Sequence, residues 1–205
     1  MIQFPSTAYV GRILPKDAFF KQMTLSSELR EKFVTDVRRI RVEYSLTASS
    51  INVDPTEDLT EILVLSIQLK RQDYDKRIVE TIARQNAHRI VFIITHEEQM
   101  QFALYYTKLH ITDWQPTAIV SLEARGRNLP SIWEGFIEQI ALANEAEPAA
   151  TMSVEDRIYR QEQIAKLQKE IDKLERMKRK EIQPKKRFAL HQQLQNVKRK
   201  LEELL

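Results

Sequence analysis

The sequence predicts an α/β protein: a small mixed sheet with a βαβ unit and flanking helices, followed by a C-terminal antiparallel helical-hairpin coiled coil. Three observations predict it. Two apolar runs, 59–69 and 90–95, are dense in Ile, Leu and Val and enclose a single helical pattern. Two heptad-spaced arms close the chain, with Pro184 between them. Glycine occurs only three times in 205 residues and 30% of the chain is charged, which favours long solvated helices over turn-rich β architecture.

The elements follow in order. Met1 to Val10 has no basic segment leading into an apolar core, so it does not read as a signal peptide. Pro15 suits the start of a short helix through Met23. Ser26 or Ser27 caps the next, with Leu29, Phe33, Val37 and Ile40 at three- or four-residue spacing. The period then changes: Ile40, Val42, Tyr44 and Leu46 alternate with polar residues, as in a half-buried strand. Residues 47–58 read as a polar loop, and 59–69 as a strand buried on both faces. A helix over 73–85, with Asp73 as its cap, leads to a second buried strand at 90–95, and the two strands should be parallel. His96 to Gln99 turns the chain into a hairpin strand over 101–108, and Pro130 opens a helix with Ile132, Trp133, Phe136, Ile137 and Ile140 on its apolar side. The expected organisation is an α/β domain over 1–143, a linker over 144–152 and the hairpin over 153–205.

The tail is sharply patterned. Ser153 begins a capping-box sequence. Ile164, Leu167, Ile171 and Leu174 form one apolar seam; Leu190, Leu194, Val197, Leu201 and Leu204 form the other. Folding back near Ile182 pairs Leu174 with Leu190, Ile171 with Leu194, Leu167 with Val197 and Ile164 with Leu201, without a slip. Met177 and Phe188 would close the seam at the turn. Charge divides between the two parts: residues 1–150 carry 17 Lys/Arg against 20 Asp/Glu, whereas residues 151–205 carry 15 against 9. The turn is the most cationic point, with Arg176, Lys178, Arg179, Lys180, Lys185, Lys186 and Arg187 against Glu181 alone. Such a cluster suits non-specific contact with nucleic-acid phosphates or with an acidic protein. Phe188 is the only aromatic there, too little for sequence readout by stacking.

Signals for catalysis are sparse. Without cysteine there is no disulfide, thiolate metal site or thiol nucleophile. His88, His96, His110 and His191 lack metal-ligand spacing, and no glycine-rich phosphate loop or nucleophile elbow is present. No metal or cofactor is expected. One constellation stands apart: Gln68 and Lys70 fall on one face at the end of a strand, with Asp54, Asp58 and Glu61 upstream. Metal-dependent nucleases place a carboxylate near a Glu/Gln-x-Lys strand end, where Asp54 or Asp58 with Gln68 would hold Mg²⁺ and Lys70 would stabilise phosphate charge. No run approaches the length of a membrane-spanning helix, so a cytoplasmic location with no membrane contact is expected.

Several segments carry a family resemblance: Glu61-Ile-Leu-Val-Leu-Ser-Ile-Gln-Leu-Lys70, His88-Arg-Ile-Val-Phe-Ile-Ile94, Tyr105-Tyr-Thr-Lys108, Thr112-Asp-Trp114, Ile171-Asp-Lys-Leu-Glu-Arg176, and Ala189 through Glu203. With these the chain resembles the bacterial domain-of-unknown-function family numbered 4391, over most of its length. The resemblance implies a setting beside helicase and DNA-methyltransferase genes in restriction-like, anti-phage operons, and hence a helicase or methyltransferase as protein partner. It supplies no catalytic residues, and relatives with Glu at the position of Gln68 make the Mg²⁺ reading less apt for this chain. The expectation is a non-enzymatic accessory subunit of a DNA-processing assembly. The competing expectation is a divergent Mg²⁺-dependent nuclease.

Overall fold

The computed structural model describes residues 2–143 and 152–205. The chain divides into two compact units, 1–143 and 144–205. Apart from Met152, the expected linker lies outside the described residues.

The first unit begins with β1 (Ile2–Gln3) and β2 (Tyr9–Leu14), then α1 (Lys16–Gln22) and α2 (Ser27–Asp36). Pro15 precedes α1 as its cap residue, and the Ser26 hydroxyl caps α2 by accepting from the Leu29 amide at 3.2 Å. Next come β3 (Val37–Thr47), α3 (Ala48–Ile51), β4 (Glu61–Leu69), α4 (Arg77–Arg84), β5 (Arg89–His96), β6 (Gln99–Tyr106) and β7 (Lys108–Ile111). Short strands β8 (Gln115–Pro116) and β9 (Leu122–Glu123) lead to α5 (Leu129–Ala141). The main sheet runs β2-β3-β4-β5-β6-β7, with β8 added beside β6, and β1 pairs separately with β9. Only β4 and β5 run parallel within the main sheet, as expected for strands joined across α4. The result is the mixed α/β sheet that the apolar runs imply.

Each face of the sheet has its own cover. On one side Ile40, Val42, Leu65, Ile67, Leu69, Phe92 and Ile94 pack with Phe19 of α1, Leu29 and Phe33 of α2, and Ile78, Val79 and Ile82 of α4. On the other, α5 packs on β4, β6 and β7. Its Ile132, Trp133, Phe136, Ile137 and Ile140 are buried as the 3.6-residue spacing predicts. Asn128 and Ser131 form a reciprocal cap at its start.

Local differences from the sequence reading have identifiable causes. Helix α2 stops at Asp36, so Val37 and Ile40 belong to β3. A register shift between Val37 and Arg39 inserts an extra residue, leaving two buried strand residues three apart, a spacing that imitates a helix. A second shift between Val42 and Tyr44 turns Tyr44 and Leu46 to the opposite face from Ile40 and Val42. The facing strand β2 is irregular at the same level, between Tyr9 and Arg12. There Gly11 adopts φ +64°, and a Cβ at that position would meet the Tyr9 ring. Helix α4 starts at Arg77 rather than Asp73, because the Asp75 carboxylate accepts from the Arg77 amide at 3.0 Å. The expected loop over 47–58 contains α3, closed by a Thr47–Ser50 capping box. Strand β6 ends at Tyr106, Thr107 turns at φ +56°, and Lys108 opens β7.

The second unit is a hairpin of α6 (Val154–Lys180) and α7 (Pro184–Glu202), packed against each other. Ser153 caps α6 by accepting from the Asp156 amide at 3.1 Å. Pro184 occupies the first position of α7, where its missing N–H costs nothing. Leu174, Leu194 and Val197 form the buried centre, flanked by Leu167, Ile171 and Leu190. At the far end the Arg160 guanidinium donates to the carbonyls of Leu204 and Leu205, each at 2.7 Å. Among the described residues no helix is long and apolar enough to cross a membrane.

Candidate functional site

The hairpin turn gathers cations because the chain reverses within Glu181, Ile182 and Gln183. Arg176, Lys178, Arg179 and Lys180 end one helix; Lys185, Lys186 and Arg187 begin the other. Cations at the end of α6 are favoured by the carbonyl end of its dipole, whereas those in the first turn of α7 oppose the amide end. The α7 group therefore sits there at an electrostatic cost.

Few of the seven are neutralised. The Lys178 ammonium meets Nδ1 of His191 at 3.1 Å, and Arg179 lies 3.9 Å from Glu175 on the preceding turn. Glu175 is engaged more closely by Lys198, whose ammonium donates to it at 3.0 Å and holds its carboxyl below the usual range. Arg176, Lys180, Lys185, Lys186 and Arg187 have no ion pair among the described residues. Apolar groups share the surface: Ile182 is 92% exposed, Phe188 62% and Met177 45%. Met177 and Phe188 therefore do not close the seam as expected, and the packed centre stops at Leu174 and Leu190.

The strand-end constellation does not converge. Asp54 lies beside the start of α5, its amide donating to the Arg127 carbonyl at 2.8 Å and its backbone bridging Asn128. Asp58 lies in the loop before β4, and Gln68 at the far end of that strand. Seven residues of strand, roughly 23 Å, separate Glu61 from Gln68. Glu61 itself is taken by Ser45 and by His88, whose Nδ1 lies 3.1 Å away. Lys70 follows the end of β4, beyond the reach of strand alternation, and its ammonium donates to the Val34 carbonyl at 2.8 Å. Among the described residues no group of three or more His, Asp or Glu could hold a metal ion. These donors do not fit Mg²⁺.

The carboxylate that does reach the end of β4 is one the sequence reading passed over. Asp36, wholly buried, accepts from the Thr35 hydroxyl at 2.8 Å and the Asp75 amide at 3.0 Å, and pairs with Arg71 at 2.6 Å. Its own carbonyl accepts from the Lys70 amide at 2.7 Å. Asp36 thus joins the end of α2, the end of β4 and the approach to α4, with its oxygens already occupied. A carboxylate at a helix C-terminus gave no sequence signal for this role.

Gln68 lines a different feature, a cavity of about 460 Å³ over the half of the sheet beyond α5, together with Arg39, Arg41, Glu43, Tyr44, Ser66, Ile93, Thr95 and Met100. Register puts them side by side: Arg41, Ser66 and Ile93 make one row, and Arg39, Gln68, Thr95 and Met100 the next. Glu43 accepts from the Ser66 hydroxyl at 2.7 Å and faces Arg41 at 3.4 Å. Burial, then Glu43 and Tyr9, push the Tyr44 hydroxyl above its ordinary pKa.

No curated protein and no solved structure matches the chain. A family model does, over residues 2–201, nearly the full length. The chain belongs to the family described as Domain of unknown function (DUF4391).

Proposed function

We propose that this protein is a non-enzymatic interaction subunit of a cytoplasmic bacterial DNA-processing assembly, of the restriction-like or anti-phage kind, and that the hairpin turn contacts nucleic-acid phosphates. The observation that carries the reading is the concentration of seven cations around one hairpin turn, five of them with neither an ion pair nor a side-chain hydrogen bond among the described residues. Like charges so crowded repel, and a polyanion relieves the repulsion while releasing its own counterions. A narrow hairpin of two helices, each about 20 residues or more and so roughly 30 Å long, can carry that charge into a groove or onto a partner's acidic surface. Coiled-coil packing between the arms belongs to the same proposal, as does a helicase or methyltransferase as the protein partner.

The test is charge reversal at the exposed first turn of α7. Lys185→Glu, Lys186→Glu and Arg187→Glu combined should weaken binding to a DNA duplex by more than tenfold at low salt and flatten its salt dependence. Unchanged affinity and slope would remove the turn from the interface.

A further inference from the structure

We propose that the open half of the sheet face is a binding site for a free mononucleotide, with the phosphate held by Arg39 and Arg41. This site is separate from the hairpin turn and does not depend on the reading given to it.

Four observations meet here. The first is charge: two guanidinium groups face one carboxylate in the cavity, and that carboxylate, Glu43, is already engaged by Ser66 and Arg41. The Arg39 side chain has neither a hydrogen bond nor an ion pair among the described residues. The second is an unmet donor: Nε of Arg41 is buried and finds no acceptor among the described residues. A buried donor left alone is costly, and a phosphate oxygen would supply the missing acceptor once the Arg41 side chain, 30% exposed, turns its Nε toward the cavity. The guanidinium fork matches phosphate geometry, so the charge and the orphan donor call for one chemistry.

The third observation is how the backbone shapes the place. The register shifts at Val37–Arg39 and Val42–Tyr44 bracket the Arg39–Val42 segment of β3. The second lets consecutive residues Glu43 and Tyr44 both line the cavity, which regular alternation forbids. Bulges of this kind re-aim side chains and cluster beside functional sites. The fourth is the floor. Ser66, Gln68 and Thr95 lie where α5 leaves the sheet uncovered, on positions that would bury apolar residues if a helix of this unit lay there. A cavity of about 460 Å³ falls within the range of small-ligand sites and is larger than inorganic phosphate needs. Glu43 offers an acceptor for the N–H donors of a base, and Tyr44 offers a ring.

The experiment uses the full chain, titrated calorimetrically with adenosine and guanosine 5′-monophosphates, with inorganic phosphate and with adenosine. Amide NMR shifts are followed in parallel. A 5′-monophosphate should bind more tightly than either fragment and should move Ser66, Gln68 and Thr95. Arg39→Gln should weaken it by about tenfold, as loss of a charge-assisted contact does. Arg41→Gln should weaken it likewise; Gln68→Glu, an exposed change that adds a second carboxylate, should weaken it without disturbing the fold and serves if Arg41→Gln does not fold. Charge reversal at Lys185, Lys186 and Arg187 should leave mononucleotide affinity unchanged. Absence of saturation at millimolar nucleotide overturns the proposal, as do shifts confined to residues 176–188 or equal affinity for adenosine and its monophosphate.

Discussion

Asp36 has no solvent exposure, yet it satisfies three segments at once through Thr35, Arg71 and Asp75. Its replacement by Ala would leave the Asp75 amide without its acceptor and Arg71 without its counter-ion. The expected cost is about 3 kcal/mol in urea denaturation, near the lower end for breaking a buried pair because Arg71 is half exposed. Arg71→Ala should cost less, since Asp36 keeps its other donors. Asp75 shows a pH effect. The Arg77 guanidinium, its backbone amide and Lys32 hold the Asp75 carboxyl below its ordinary value, the Arg77 side-chain hydrogen bond contributing most. A depressed folded pKa means that stability from this carboxylate is complete above the ordinary value, near pH 4, and is lost as pH falls through the folded value. Wild type and Asp75→Asn should therefore differ at neutral pH and converge in acid, as followed by denaturation midpoints. Neither aspartate was legible as a structural tie. Asp36 falls on a polar position in the helical spacing of α2, and the cap expected for α4 is Asp73, two residues earlier.

At the scale of elements, periodicity located the helices and central strands wherever one face is apolar and the other polar. Runs over β4 and β5 stood out because helices cover much of both faces. Strand β3 is the exception: its bulges change phase twice, so a fixed period of two assigns Tyr44 and Leu46 to the wrong face. The hairpin seam tests the same logic energetically. Leu194 is 4% exposed and lies in the centre of the seam, so Leu194→Ala should destabilise the hairpin by about 2–3 kcal/mol in thermal melts followed by circular dichroism. Phe188, at 62% exposure, should tolerate Ser within about 0.5 kcal/mol. A large loss at Phe188 would mean that the seam extends to the turn, as its spacing suggested.

For the whole molecule, the division of charge is the dominant fact: the positive excess lies entirely in residues 151–205. The salt slope of nucleic-acid binding should report this directly, falling by about 0.9 for each phosphate contact removed from duplex DNA. Charge reversal at three α7 positions should accordingly flatten the slope by up to about three. The sequence by itself determined the mixed α/β class, the reversal at Pro184 and the cationic turn, because apolar period, proline chemistry and net charge are local properties. Only the tertiary structure decided that Asp54 and Asp58 lie far from Gln68, that Asp36 is a buried clasp, and that Arg39, Arg41 and Glu43 share a cavity with Ser66 and Thr95. Those outcomes depend on strand register and bulge position, which are set by pairing between distant segments and leave no periodic mark in either one.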